Sequence, residues 1–257
     1  GTGDEEIKNV MVGIDIDVSE LVLADRLREK GTKIDLVISH HPSEKALANL
    51  DKVMGIQSTL WEKYGLSKKV AEGIMKSRKE EVSRGLSAAN HSRTKDAAKL
   101  LGIPFMCAHT VADNCVANYL QSHFNRVKPK KLKNVVSELK GITEYRQSMK
   151  IGAGPTILIG KENDDAGKIF VDMTGGTSGP EKMFSRLQQA GVMTIVGMHC
   201  KESSYKLASS EFINYVIAGH ISSDNLGMNL IFDAVEKKEK LMFIECSGFR
   251  RVRRNKK

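Results

Sequence analysis

Seven histidines are spread along the sequence, His40, His41, His91, His109, His123, His199 and His220. Four of them, His40, His41, His109 and His220, stand where a run of strand-forming residues hands over to a loop or helix, and His199 also ends such a run. Ligand and catalytic groups collect at these strand ends in mostly parallel α/β folds. His40 and His41 close the run IDLVISHH and precede Pro42. Neighbours on a regular strand face opposite sides, but a backbone that turns before proline lets both imidazoles address two closely spaced metal ions. His109 and Asp113 stand four residues apart, as do His220 and Asp224, which places imidazole and carboxylate on one face where the segment is helical. Such nitrogen and oxygen donors suit zinc, manganese or iron, and a carboxylate can bridge two ions as a neutral imidazole cannot. A metal pair of this kind polarises water for attack and stabilises charge developing on a substrate. Taken singly, each pair is more often a capped helix start or a hydrogen-bonded buried histidine.

Other residues carry weaker signals. The loop TGGTSGP, from Thr174 to Pro180, follows a strand and precedes a helix. It is neither a dinucleotide nor a Walker fingerprint. Gly175 and Gly176 would still allow close approach of a substrate phosphate, with the following helix terminus offering free N–H groups; a plain tight turn with Pro180 at the first helical position is the competing reading. Asp15 and Asp17 end the first strand, where either could hold a metal-binding histidine or a substrate hydroxyl, although Asp17 equally suits a helix N-cap. His91 lies in the polar run AANHSRTKD and reads as exposed; His123 needs no functional role.

The elements that must position these residues alternate. KNVMVGIDI reads as a strand, VSELVLADRLREKG as a helix with apolar residues at Val18, Leu21, Ala24 and Leu27, and IDLVISHH as a strand covered on both faces. From Glu44 to about Leu101 the pattern is almost wholly helical, too long for an ordinary crossover. A strand at Ile103 to Ala108 and a helix from Asp113 to about Phe124 follow. The second half repeats the alternation, with strands at GPTILIG, KIFVDM, VMTIVGMH, INYVIAGH and KLMFIECSGF. FMCAHTVADN and YVIAGHISSDN echo one another, each placing His-x-x-x-Asp-Asn directly after an apolar strand. The expected organisation is an α/β fold of two similar lobes flanking a central cleft: an N-terminal lobe over 4–125 with a helical insertion over about 44–101, a linker or helical connection over 126–150, a C-terminal lobe over 151–249 and a basic tail over 250–257.

Composition excludes several classes. At 257 residues, 40% apolar and 28% charged, with 22 Gly and five Pro, the chain is globular and large enough to bury a core without cross-links. No apolar run is long enough for a spanning helix, and GTGDEEIKNV is not a secretory signal; a cytoplasmic protein with no membrane role is expected. The net charge of +9 is concentrated in RRVRRNKK, whose six basic residues leave only +3 elsewhere, and in RVKPKKLK. Neither run interleaves aromatics as a base-stacking surface would, so the charge argues for solvated surface rather than nucleic acid. Cys107, Cys115, Cys200 and Cys246 form no CxxC pair and read as free thiols.

DLVISHHP, AHTVADN and GHISSDNLGMNLIFDAV, in that order, give the chain a resemblance to the Nif-three-like family, also labelled GTP cyclohydrolase type 2 homologues, from Val10 to about Phe249. The helical stretch after Pro42 is atypical for that family. The resemblance implies a dinuclear site between the lobes, holding two divalent ions (zinc, iron or manganese), with His40, His41, Asp113, His220 and Asp224 as ligands. It also implies a homohexameric toroid. His109 falls at the edge of that site, either as a positioning partner or as an acid/base group touching substrate. Asp224 stands where the family usually has Glu. The implied function is a metal-dependent hydrolase of a small phosphorylated or nucleotide-derived molecule; the alternative is a metal-binding regulatory or chaperone-like assembly without turnover.

Overall fold

In a computed structural model, describing residue 1 and residues 3–254, the chain is a mixed α/β protein built on two four-stranded sheets. The first sheet has the order β3-β2-β1-β8, all parallel: β1 (Asn9–Gly13), β2 (Leu36–Ser39), β3 (Phe105–Cys107) and β8 (Met242–Glu245). The second has the order β4-β7-β6-β5, with β5 (Lys168–Asp172), β6 (Val192–Gly197) and β7 (Asn214–Ile217) parallel and β4 (Thr156–Ile159) antiparallel at one edge. Val10, Met11, Val12, Val37 and Ile38 are all buried, as strands covered on both faces require. Helix α1 (Val18–Glu29) begins in a capping box: Asp17 accepts from the Val18 N–H, and Glu20 accepts from the Asp17 N–H. Capping therefore accounts for Asp17, which also accepts from the Thr94 hydroxyl.

Five helices separate β2 from β3: α2 (Glu44–Ala48), α3 (Leu50–Val53), α4 (Gly55–Lys63), α5 (Lys68–Leu86) and α6 (Arg93–Leu100). They bridge the two sheets. α6 packs on α1, while Met54, Trp61, Ala71, Ile74 and Met75 share a core with Phe170 and Ile195 of the second sheet and with Phe184 of α10 (Met183–Gln189). The stretch 126–150, expected as a linker or helical connection, is helical. It contains α8 (Leu132–Gly141) and α9 (Thr143–Met149), whose Leu132, Val135, Leu139 and Tyr145 are fully buried. Among the described residues no helix is long and apolar enough to cross a membrane, and the four cysteines are unbridged.

Two long helices meet between the sheets, α7 (Thr110–Val127) and α12 (His220–Val235), and their pairing is the most extensive helix contact in the molecule. Gly227 makes it possible, because a Cβ there would drive into the main chain of Ala112. Alanine at an ordinary helix position would gain about 1 kcal/mol over glycine, but overpacking against backbone costs about 1–3 kcal/mol, so close approach decides the residue. α12 is followed by β8, which pairs with β1 and not with the second sheet. The last strand, expected in a C-terminal lobe over 151–249, thus lies in the first sheet, and α12 crosses between the two.

The basic run 250–257 is not a free tail over the part described. Residues 250–254 lie along α12 and are held by side chains spaced four apart, Asn225, Asn229 and Asp233. Arg251, 3% exposed, donates to Asp233 and Glu236 at 2.6 Å each, and Arg254 donates to both oxygens of buried Glu144 at 2.6 Å. A charge run read from sequence shows sign and not partner, so solvation was the expected reading and pairing is the finding. Residues 255–257 lie outside the described residues. Arg251→Ala removes the buried guanidinium from Asp233 and Glu236 and leaves them only Arg254 and Arg253, and the unfolding free energy should fall by about 1–3 kcal/mol, which urea denaturation of parent and variant measures.

Candidate metal centre

The ends of β1 and β2 fix the double histidine. The His40 N–H donates to Gly13 O and the His41 N–H to Ile14 O, both at 2.9 Å, so sheet-like pairing continues past the strands. The Ser39 hydroxyl donates to His41 O at 2.9 Å and closes the turn. Asp15 takes the role that its place at the strand end allows: its Oδ1 lies 2.6 Å from His41 Nδ1, leaving Nε2 to face Asp224 Oδ2 at 3.6 Å. A carboxylate on one ring nitrogen orients the other for a ligand.

The first turns of α7 and α12 supply the carboxylates. Asp113 Oδ1 and Asp224 Oδ1 each lie 3.4 Å from the same atom, His40 Nε2. His109 Nδ1 is 3.7 Å from Asp113 Oδ2, and His220 Nε2 is 3.6 Å from Asp224 Oδ2, so both four-residue spacings act as helical neighbours. Ring centroids of His40 are 5.2 Å from His41 and 5.0 Å from His109, and His41 is 5.4 Å from His220. Two overlapping donor groups result, His40 with His109 and Asp113, and His40 with His41 and Asp224, each with its donor atoms within 4.8 Å of one another. His220 lies outside both groups, although it reaches Asp224. His109 stands with the donors, closer in than an edge position implied.

This donor set fits a cation. His40, Asp113 and Asp224 are at most 5% exposed, yet both His40 nitrogens, Asp113 Oδ1 and both Asp224 oxygens lack a hydrogen-bond partner. Buried ionised carboxylates without partners are costly unless a positive charge meets them. Burial works against a proton on His40, but the contacts with Asp113 and Asp224 prevail and raise its pKa to about 9. His109 moves the other way: burial, against the pull of Asp113, lowers it to about 4. Partial desolvation, with His220 beside it at a centroid distance of 5.0 Å, lowers His199 as well.

His109, Asp113, His199 and His220 also line a cavity of about 80 Å³ that reaches the carboxyl ends of β5 and β6. Its further wall includes Asp172, Thr174, Gly176 and Lys201. The sequence reading missed Asp172 and Lys201, and took Thr174 only as the first residue of the glycine-rich loop; the signal for Asp172 was its place at the end of an apolar strand. Burial pushes the Asp172 carboxyl up to about 6. The two glycines differ from expectation. Gly175 is not on the cavity wall, and added Cβ atoms would meet Gln57 at Gly175 and Leu50 and Val53 at Gly176. Their bare faces admit the helices after β2, and only Gly176 also lines the cavity. His91 and His123 lie apart from the centre; His123 Nε2 is 2.7 Å from Glu138.

Two parallel-stranded layers meeting at a buried His/Asp centre define an α/β protein with a candidate metal site at its strand ends. The structure of a NIF3 superfamily protein from Sphaerobacter thermophilus matches with a TM-score of 0.78 at 26% identity, over 95% of this chain and 88% of that one. In fold, and in sequence at that level over nearly the whole of both chains, this chain is NIF3-like. Reduced HcgD from Methanocaldococcus jannaschii (TM-score 0.53, 18% identity, 94% and 84% covered) and protein ybgI, of unknown function (0.51, 13%, 95% and 86%), share the fold. No family model and no curated protein sequence matches.

In metal-depleted protein the His40 proton stabilises the fold fully below about pH 6.5 and ceases to do so as pH rises through about 9. Thermal melts of chelated protein should therefore fall across that window, whereas melts of metal-loaded protein should not. Asp224 is fully enclosed, with oxygens 3.4–3.6 Å from three imidazoles, so the longer side chain of Asp224→Glu has no room. Metal titration should show affinity lowered about tenfold or more, since coordination tolerates only about 0.2 Å.

Proposed function

We propose that the chain holds two divalent ions, zinc, iron or manganese, and uses them to hydrolyse a small phosphorylated or nucleotide-derived molecule. The carrying observation is the convergence of unpartnered, buried donor atoms from His40, Asp113 and Asp224 on one point. His40, His41, Asp113, His220 and Asp224 would hold the ions, with Asp15 fixing the His41 ring. Ions bound there would supply Lewis-acid activation of water and of a substrate oxygen.

The chain's own groups do the rest. His109 lines the cavity with Nδ1 turned toward Asp113 and Thr110, so Nε2 is the nitrogen left to accept a proton from water and return it to a leaving group. Asp113 turns Oδ1 toward His40 and also lines the cavity where substrate would lie.

Elemental analysis after metal reconstitution should give close to two ions per chain, and His41→Ala or Asp113→Ala should lose metal while circular dichroism stays native, since a core of this size does not need a metal to fold. Turnover in a hydrolysis screen of small phosphate compounds should disappear in the same variants. Stoichiometric metal without turnover would favour the non-catalytic regulatory or chaperone-like reading, and absence of stoichiometric metal would sink both.

A further inference from the structure

The cavity has a second wall for which the metal centre gives no account. Beyond β5 the chain runs Thr174-Gly175-Gly176-Thr177-Ser178-Gly179, left-handed at Gly175 and Gly176 with φ of 97° and 86°. Carbonyls of this loop are engaged from outside: Gln57 Nε2 donates to Thr177 O at 2.6 Å and to Thr174 O at 3.2 Å, and Arg78 Nε donates to Ser178 O at 3.1 Å. The N–H groups from Thr174 to Gly179 have no protein acceptor among the described residues. Pinning the carbonyls from one side fixes a run of donors without using them.

Two side chains add to this. Thr174 is 6% exposed and lines the cavity, and its Oγ1 is buried without a partner. Lys201 lines the same cavity and makes no ion pair among the described residues. It caps α11 (Glu202–Ser210), whose first turn brings Ser204, 8% exposed, to the cavity. A buried hydroxyl and unmatched N–H groups cost free energy until an acceptor meets them, and an ammonium at a helix N-terminus adds positive potential.

We propose that this wall is an anion subsite that takes the phosphate of a small phosphomonoester, held by N–H groups of the loop residues that line it, Thr174 and Gly176 to Gly179, by Thr174 Oγ1 and by Lys201. The proposal rests on the metal-centre reading for the site it adjoins, and not for these contacts. A volume of about 80 Å³ is several times the roughly 10–15 Å³ that one enclosed water needs on this measure, which leaves room for a phosphoryl group. Asp172, on the same wall, disfavours a bare polyanion and accepts a hydrogen bond, which selects a phosphate carrying its own proton or a neighbouring hydroxyl. Gln57 and Arg78 are positioning residues, since they act through the loop.

The test is calorimetric titration of orthophosphate, and separately glycerol phosphate, into metal-loaded and into chelated protein. Parent, Thr174→Val and Lys201→Gln are compared, with circular dichroism and metal content measured on each. Both variants should keep fold and metal and bind phosphate about tenfold more weakly. Parental affinity in both variants overturns the proposal, as does a parent that holds metal and binds no phosphate at millimolar concentration. A parent that takes up no metal, yet binds phosphate through Thr174 and Lys201, sinks the metal-centre reading and leaves the subsite standing.

Discussion

Two carboxylates, Asp113 and Asp224, are buried 3.4 Å from one imidazole nitrogen of His40, and the resulting demand for positive charge governs the centre of this molecule. Asp113 Oδ1 and both Asp224 oxygens have no hydrogen-bond donor, and little water reaches them. Something cationic must stand between them, a proton on His40 when metal is absent or divalent ions when it is present. The fold tolerates this cost because each carboxylate rides on the first turn of a long, well-packed helix.

That packing turns on the contact between α7 and α12 at Ala112 and Gly227, one turn or less from each carboxylate. α12 is secured on its other side as well. Asn225, Asn229 and Asp233 bind the chain after β8, and Arg251 and Arg254 neutralise Asp233, Glu236 and Glu144. A helix that carries a buried charge at its start is thus clamped along its length, which keeps Asp224 from relaxing toward solvent.

The helices between β2 and β3 connect the two sheets at the cavity. Their Trp61 and Met54 enter the core of the second sheet, and Gln57, on the same helix as Trp61, orders the loop after β5. A segment inserted into the first half of the chain therefore shapes a wall made by the second half. Both sheets aim strand carboxyl ends at the same region, the usual place for ligands in parallel sheets, and the cavity lies there because the two sets of strand ends converge.

The sequence by itself determined what is local. The capping box at Asp17, the strand-ending double histidine and the two His-x-x-x-Asp segments each depend on residues within a few positions, and short-range periodicity fixes which side chains share a helix face. Asp15 was legible for the same reason, standing at a strand end. The tertiary structure decided what depends on distant partners: that β8 pairs with β1 across more than two hundred residues, that Arg251 meets Asp233 instead of water, and that Gln57 meets the loop at Thr174. Asp172 and Lys201 carry no motif, and Thr174 stands in a glycine-rich loop whose partners the sequence does not show, because a cavity wall is assembled from strand ends and helix starts whose proximity is set by sheet order. Sheet order follows from which apolar faces can be buried together over the whole chain, and no local pattern encodes that sum.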